Sequence, residues 1–258
     1  MSCLLCFSCG NDSKPANTEQ QTTEQDQNAE DAQSENQDGA DENSHAPKTF
    51  KIAKVRPVND SRKEPVLKTF LDSLVQTLKA KDVDALLAVV SPDIKVSFGA
   101  ENGIEAFRKH WGLDQDPENS KLWSTLKNII ELGGTFDGNQ RSVYATPYYY
   151  NNFPDTHDPF VYSVITGKNV NIRKIPNRNA KTVRQLNHEV VIQLFAPEDD
   201  VIYEKIGGET HPWQRIRMSD GEEGYVYGKY VQSPIGYRAI FEKLPQVGWQ
   251  LYVLVAGD

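Results

Sequence analysis

The stretch WQRIRMSDGEEGYVYGKYV, residues 213–231, decides the fold of the second half of the chain. Its first part, 213–217, is a short run of aromatic, β-branched and long side chains that predicts a strand. Asp220 and Gly221 follow, and an Asp-Gly pair between two such runs is a strong signal for a hairpin turn. Residues 224–228 then predict the returning strand, so the stretch as a whole indicates an antiparallel β-hairpin.

The sequence upstream of this hairpin, from residue 160 onward, has the same all-β character. Short apolar runs alternate there with turn signals such as Gly167-Lys168 and the Pro-Asn-Arg-Asn run at 176–179. About five short strands within about 70 residues can hardly form an open sheet, because every open edge exposes unpaired backbone groups. We therefore expect residues 160–233 to form a small closed β-barrel.

Two spaced motifs in this region resemble a known family. They are GKNVNIRKIPN at 167–177 and the stretch 213–231 quoted above. Together they are similar to the bacterial SH3 family. Its signature is an opening strand with Asn-Val-Arg-like residues and a turn proline, followed by a tryptophan strand, an acidic-glycine turn and Gly-Trp/Tyr-Val. The matching positions are Val170, Ile172, Arg173 and Pro176 in the first motif, and Trp213, Ile216, Gly221, Gly224, Tyr225 and Val226 in the second.

The resemblance implies an SH3-like barrel that recognises a peptide or the cell wall, often beside a catalytic domain. Candidates for its groove are aromatic side chains that offer a flat face and a hydroxyl tip. These candidates are Tyr203, Tyr225, Tyr227 and Tyr230. Trp213 and Tyr225 could instead belong to the barrel core, and for Tyr227 and Tyr230 both interpretations stay open.

Residues 50–159 predict an α+β domain. Apolar residues recur every three or four positions between Val66 and Leu78, which is typical of an amphipathic helix. Ser61, Glu64 and Pro65 form a predicted capped start for it. Further helices are predicted at 83–90, 103–111 and 122–132, and short strands at 50–55, 94–98 and 142–145.

The order of elements over residues 64–112 is similar to the opening of SnoaL-like domains, which have the cystatin-like cone fold. That resemblance implies a pocket, which some members use for catalysis and others for binding. Asp93, His110, Trp111 and Trp123 are the residues that could line it. The alternative is that the two tryptophans are core aromatics and His110 is a helix-end residue.

The last segment, 234–258, predicts a β-hairpin. Residues 237–242 and 249–255 are its two strands, and 245–248 is its turn. Because residues 50–150 supply few strands for a sheet, we expect the hairpin to return to the first domain, with the barrel inserted between. A simple extension packed on the barrel is the alternative.

Residues 1–9 contain the three cysteines of the chain, Cys3, Cys6 and Cys9. The short apolar run before Ser8 and Cys9 resembles the end of a lipoprotein signal peptide, which implies lipidation of Cys9 and a membrane-anchored location in the cell envelope. The run lacks a basic start and is short for a signal, so we expect Met1 not to be the natural start. The alternative is a cytoplasmic protein in which the cysteines bind metal.

Residues 10–49 predict a disordered acidic tether. The segment contains no Val, Ile, Leu, Met, Phe, Trp or Tyr, so it has no apolar surface to offset the entropy of ordering. Between Gly10 and Lys48 ten acidic residues stand against two lysines, which accounts for the whole net charge of −8. The remainder of the chain is neutral, which argues against a nucleic-acid partner.

The motif inventory favours a non-enzymatic envelope protein that binds peptide or peptidoglycan. The folded part has no cysteine nucleophile, phosphate-binding loop or histidine cluster with ligand spacing, so we predict no cofactor and no metal. Three alternatives stay open: a small-molecule pocket in the α+β domain, a carboxylate enzyme there, and an accessory module of a cell-wall hydrolase.

Overall fold

Two β-sheets organise the chain. The computed structural model describes residues 46–138 and 141–257. Cys9, the predicted signal remnant and most of the predicted tether therefore lie outside the described residues. The helices are α1 Pro65–Ala80, α2 Val83–Leu87, α3 Ile104–His110, α4 Leu122–Glu131 and α5 Tyr149–Asn152. The strands are β1 Val90–Lys95, β2 Thr135–Phe136, β3 Val143–Thr146, β4 Tyr162–Ile165, β5 Val170–Arg173, β6 Thr182–Leu186, β7 Val190–Leu194, β8 Tyr203–Ile206, β9 Glu209–Arg217, β10 Glu223–Tyr227, β11 Val231–Gln232, β12 Arg238–Leu244 and β13 Gly248–Val255.

The first sheet has the strand order β1-β13-β12-β3-β2. The C-terminal hairpin, β12 with β13, therefore occupies the middle of a sheet whose other strands come from the first half of the chain. β13 runs parallel to β1, and β12 runs antiparallel to β3. The prediction that the hairpin returns to the first domain is confirmed by these pairings, and β4 to β11 form an insertion between β3 and β12.

The second sheet, β4 to β11, encloses its own core. Its strand order is β11-β4-β7-β9-β10-β5-β6, and β8 pairs with β9 beside this path. Every strand of the path contributes a buried side chain to one cluster, and the partly buried residue packed on that cluster, Val183, also comes from the sheet. Because the strands of this sheet and the turn after β9 cover the cluster, the sheet curls around its own buried side chains. The cluster members are Ile165, Val170, Ile172, Leu186, Val191, Ile216, Met218, Val226 and Val231.

The pairings differ from the sequence prediction in three places. Among the described residues they leave the path open between β11 and β6, so the expected closed barrel is not shown; β11 has only two residues before the chain turns back to the first sheet. The region holds eight strands rather than about five, and β8 with the long β9 forms a hairpin beside the main path. Residues 50–55 make no strand, and Lys54 forms an isolated bridge with Glu189.

Helix α1 packs its apolar stripe on the first sheet. Leu67, Leu71, Leu74 and Leu78 are buried along one face, at the spacing that predicted the helix. The cap differs from the prediction: the Glu64 carboxylate accepts a hydrogen bond from Leu67 N–H, while Ser61 lies in a 3₁₀ turn before the helix. Glu64 also pairs with Lys243 on β12 at 3.1 Å, so the start of α1 is tied to the hairpin.

The contacts of Phe241 test the position of the hairpin. Its side chain is fully buried, and its ring lies 5.8 Å from that of Phe70 on α1 and 6.5 Å from that of Tyr144 on β3. We expect Phe241→Ala to lower the free energy of unfolding by about 3–5 kcal/mol, measured by urea denaturation, because it opens a cavity between helix and sheet. Phe160→Ala, the same change at an exposed ring, serves as the control and should cost less than about 0.5 kcal/mol. Equal effects at the two positions would contradict the central placement of β12.

The cap of α1 predicts a pH dependence. The hydrogen bond from Leu67 N–H, helped by Lys243, holds the pKa of Glu64 below its ordinary value of 4.5. A lowered carboxyl pKa stabilises the fold above the unfolded pKa, and this contribution is lost as pH falls through the folded pKa. We expect Glu64→Gln to be about 0.5–1 kcal/mol less stable than the native chain at pH 7, with the difference shrinking towards zero near pH 3. A difference that stays constant across urea titrations at these pH values would show that the charge of Glu64 plays no part.

Candidate functional site

A groove of about 310 Å³ lies on the outer surface of the second sheet. Its walls are the loop between β4 and β5 and the 3₁₀ turn Gly228–Tyr230 that follows β10. Residues that line the groove are Gly167, Lys168, Asn169, Val170, Asn171, Arg173, Arg178, Ile206, Trp213, Tyr227 and Tyr230.

Two glycines allow the groove walls to approach each other. A Cβ on Gly228 would lie 2.7 Å from the carbonyl oxygen of Pro212, so only glycine lets the 3₁₀ turn rest on β9. A Cβ on Gly167 would lie 2.7 Å from Val170 Cγ2 and 3.3 Å from Tyr230 Cδ1. The loop and the 3₁₀ turn are therefore in close contact at one end of the groove.

The floor of the groove is aromatic. Trp213 on β9 and Tyr227 on β10 are directly paired across the two strands, with ring centroids 5.8 Å apart. Both are buried, and Tyr227 is only 5 % exposed. Tyr230 follows on the 3₁₀ turn, 6.3 Å from the ring of Tyr227, and is 39 % exposed. A ligand in the groove would therefore meet the face of Tyr230, with the other two rings behind it.

Glu204 on β8 orders the polar groups around this floor. Its Oε2 accepts hydrogen bonds from Trp213 Nε1 at 2.9 Å and from Arg178 N–H at 3.1 Å. Its Oε1 lies 2.9 Å from Arg178 Nε. The hydroxyl of Tyr227 lies 2.6 Å from the carbonyl oxygen of Glu209 and 3.2 Å from that of Glu204. The β8–β9 hairpin thus fixes both floor rings and one cation at the rim.

The rim of the groove is cationic. Lys168, Arg173 and Arg178 line it, and no Asp or Glu is among the lining residues. Arg173 Nη1 donates to Ala180 O at 2.9 Å and to Thr182 Oγ1 at 2.7 Å, which fixes its guanidinium without neutralising it. Pairing with Glu204 neutralises the charge of Arg178. Lys168 and Arg173 therefore keep the net charge of the rim positive. Such a rim favours a ligand that carries carboxylates.

The structure brings together two of the four tyrosines predicted from the sequence. Tyr227 and Tyr230 line the groove, with Tyr227 acting as a buried support and Tyr230 as the accessible ring. Tyr225 is half-buried in a separate depression of about 660 Å³ that also includes Phe195 and Trp213. Tyr203 is 65 % exposed on β8 and is not among the residues lining the groove.

Sequence reasoning missed Lys168, Arg178 and Glu204. Counting charged residues could have pointed to the two cations, since residues 160–188 contain six Lys or Arg and no Asp or Glu. No local signal pointed to Glu204, because its partners Arg178 and Trp213 lie 26 and nine positions away in the sequence.

The residues proposed for a pocket in the first domain divide between core and surface. Trp111 and Trp123 are buried in the main apolar cluster, whereas Asp93 and His110 are exposed. His110 Nε2 lies 3.5 Å from the Tyr237 hydroxyl, at the end of α3. This placement favours the core interpretation of the two tryptophans.

In residues 46–138 and 141–257 no group of three or more His, Cys, Asp or Glu side chains is arranged to hold a metal ion. The same part of the chain contains no helix with the length and hydropathy needed to span a membrane. No family model, curated protein or solved structure matches the chain.

The hydroxyl of Tyr227 gives a direct test of the groove floor. We expect Tyr227→Phe to lower the free energy of unfolding by about 1 kcal/mol, because the hydroxyl that ties the floor to the β8–β9 hairpin is lost. Tyr203→Phe removes a solvent-exposed hydroxyl from the same hairpin and should change stability by less than about 0.5 kcal/mol. Urea denaturation of both variants measures the difference, and a neutral Tyr227→Phe would contradict the described hydrogen bonds.

Proposed function

We propose that the second sheet is an SH3-like module and that the chain is a non-enzymatic binding protein of the cell envelope. The observation that carries the proposal is the groove, which combines an aromatic floor, one accessible tyrosine and a cationic rim, with no Asp or Glu among its lining residues. The two motifs that resemble bacterial SH3 domains meet here: β5 pairs with β10 through Arg173 and Tyr225, and β10 with β9.

The chemistry of the groove suits a peptide with carboxylate groups, either free or as a stem of peptidoglycan. The flat face of Tyr230 can stack on peptide bonds or aliphatic side chains. Lys168 and Arg173 at the rim can bind carboxylates, and Asn169 and Asn171 in the same wall supply amide groups for hydrogen bonds. A volume of about 310 Å³ accommodates a few residues rather than a long chain.

Anchoring is a separate part of the proposal. Lipidation at Cys9, which lies outside the described residues, would hold the protein at a membrane, and the acidic segment would give the module its reach. The first domain then acts as a support, with aromatic and aliphatic side chains such as Phe107, Tyr144 and Phe241 buried in its core.

The test is retention of the full chain on purified peptidoglycan sacculi. We expect Tyr230→Ala to reduce retention by about fivefold or more, because it removes the accessible ring of the groove. Tyr203→Ala, an exposed tyrosine on the same module, is the matched control and should bind like the native chain. Circular dichroism of both variants checks that the fold is intact.

The possible results show separately whether peptidoglycan is the ligand and whether the groove is the site that binds it. Retention that depends on Tyr230 and not on Tyr203 supports peptidoglycan recognition in the groove. Retention that neither variant alters would place the wall contact elsewhere on the protein, and the absence of any retention would exclude the wall as the ligand.

A further inference from the structure

A polar cleft of about 440 Å³ lies on the other side of the 3₁₀ turn from the groove. Helix α4 forms one wall, and β9 with the 3₁₀ turn forms the other. The cleft therefore lies where the inserted sheet meets the first domain, a location that ligand sites often occupy. Besides Tyr149 and Tyr237, its ionisable side chains are Lys127 and Glu131 on α4, with Glu209, His211 and Lys229 opposite.

The cleft and the groove are neighbours. The 3₁₀ turn Gly228–Tyr230 places Tyr230 in the groove and Lys229 in the cleft. The ring of His211 in the cleft lies 5.2 Å from that of Tyr227 in the groove floor. The two sites are therefore separated by a single three-residue 3₁₀ turn.

Each wall of the cleft carries one pair of opposite charges. Lys127 Nζ lies 3.2 Å from Glu131 Oε2 along α4. On the other wall Lys229 Nζ lies 2.6 Å from Glu209 Oε2, and His211 Nε2 lies 3.5 Å from the same oxygen. The hydrogen bond from Lys229 lowers the pKa of Glu209, so this carboxylate is ionised at neutral pH.

Exposed ion pairs of this kind exchange partners readily. They contribute little to stability because water already solvates both charges well. A ligand that brings an ammonium and a carboxylate can insert into both pairs, with its ammonium on the two carboxylates and its carboxylate on the two lysines, so that no protein charge is left without a partner. A ligand with a single charge, or with none, would leave one protein charge without compensation or gain nothing over water.

We propose that the cleft is a second subsite for the same ligand and takes a zwitterionic part of it, with a free side-chain ammonium and a nearby carboxylate. This inference rests on the proposed function, because the rest of the ligand lies in the groove. It narrows the ligand class from peptides in general to short peptides that contain a free diamino-acid side chain. Glu131 and Glu209 bind the ammonium, and Lys127 and Lys229 bind the carboxylate.

The experiment is a thermodynamic cycle by isothermal titration calorimetry on the full chain. The probe is the N-acetylated peptide L-Ala-γ-D-Glu-L-Lys-D-Ala, with the lysine side chain either free or acetylated. The variant is Lys127→Met/Glu131→Gln, which removes the ion pair on α4. The control is Asp72→Asn, which breaks another exposed i,i+4 ion pair, with Lys68 on α1, outside the cleft.

We expect acetylation of the lysine to weaken binding to the native chain by about five- to tenfold, and to the double variant, which keeps only Glu209 for the ammonium, by less than about threefold. The double variant should bind the free peptide about five- to tenfold more weakly than the native chain, and Asp72→Asn should bind it equally well.

The other outcomes distinguish this inference from the function on which it rests. If Tyr230→Ala weakens binding but neither acetylation nor the double variant does, the second subsite is wrong and the groove stands. If the double variant weakens the free and acetylated peptides equally, its effect is not on the ammonium, and the subsite is again overturned. If neither peptide binds the native chain, both proposals fall.

Discussion

The C-terminal hairpin fills the middle of the first sheet, and this placement determines how the other strands and the inserted sheet are arranged. β12 and β13 separate β1 from β3, so the helical domain has no continuous sheet until the last residues of the chain are in place. The inserted sheet therefore leaves and returns at neighbouring points, because Thr146 at the end of β3 pairs with Ala239 near the start of β12. Arg238, the first residue of β12, is buried, with its guanidinium 5.2 Å from the ring of Phe98 and 5.1 Å from that of Tyr150.

An insertion tied at both ends is held more firmly than a module at the end of a linker. In this chain a cluster of buried side chains also joins the inserted sheet to the first domain, in addition to the two chain connections. Val164 and Val190, on the outer face of the second sheet, share a buried cluster with Tyr148 and Tyr149, which follow β3, and with Val55. Burial of these side chains opposes rotation of the inserted sheet, since any rotation would expose them to water. Both walls of the cleft beside α4 are consequently set by the fold.

The sequence was most informative where a local period matched a buried face. The spacing of Leu67, Leu71, Leu74 and Leu78 predicted α1, and the apolar run at 249–255 predicted β13. Local patterns failed where a distant partner decided the outcome. Glu64 rather than Ser61 caps α1, and Lys243 beside it comes from the far end of the chain. Residues 50–55 alternate like a strand, but their strand pairing with the second sheet is an isolated bridge between Lys54 and Glu189.

The same reasoning explains why the tyrosines could not be sorted from the sequence. Tyr225 and Tyr227 alternate with Val226, which is buried in the core of the second sheet, so both side chains belong to the outer face. An outward position normally predicts exposure, yet Tyr227 is covered because the β8–β9 hairpin brings the carbonyl oxygens of Glu204 and Glu209 to its hydroxyl. Tyr230 remains accessible because the chain leaves strand β10 at Gly228, a position where only glycine fits against Pro212. A tight backbone contact therefore determines which tyrosine is accessible in the groove. Neither the aromatic pattern nor the motif predicts that contact.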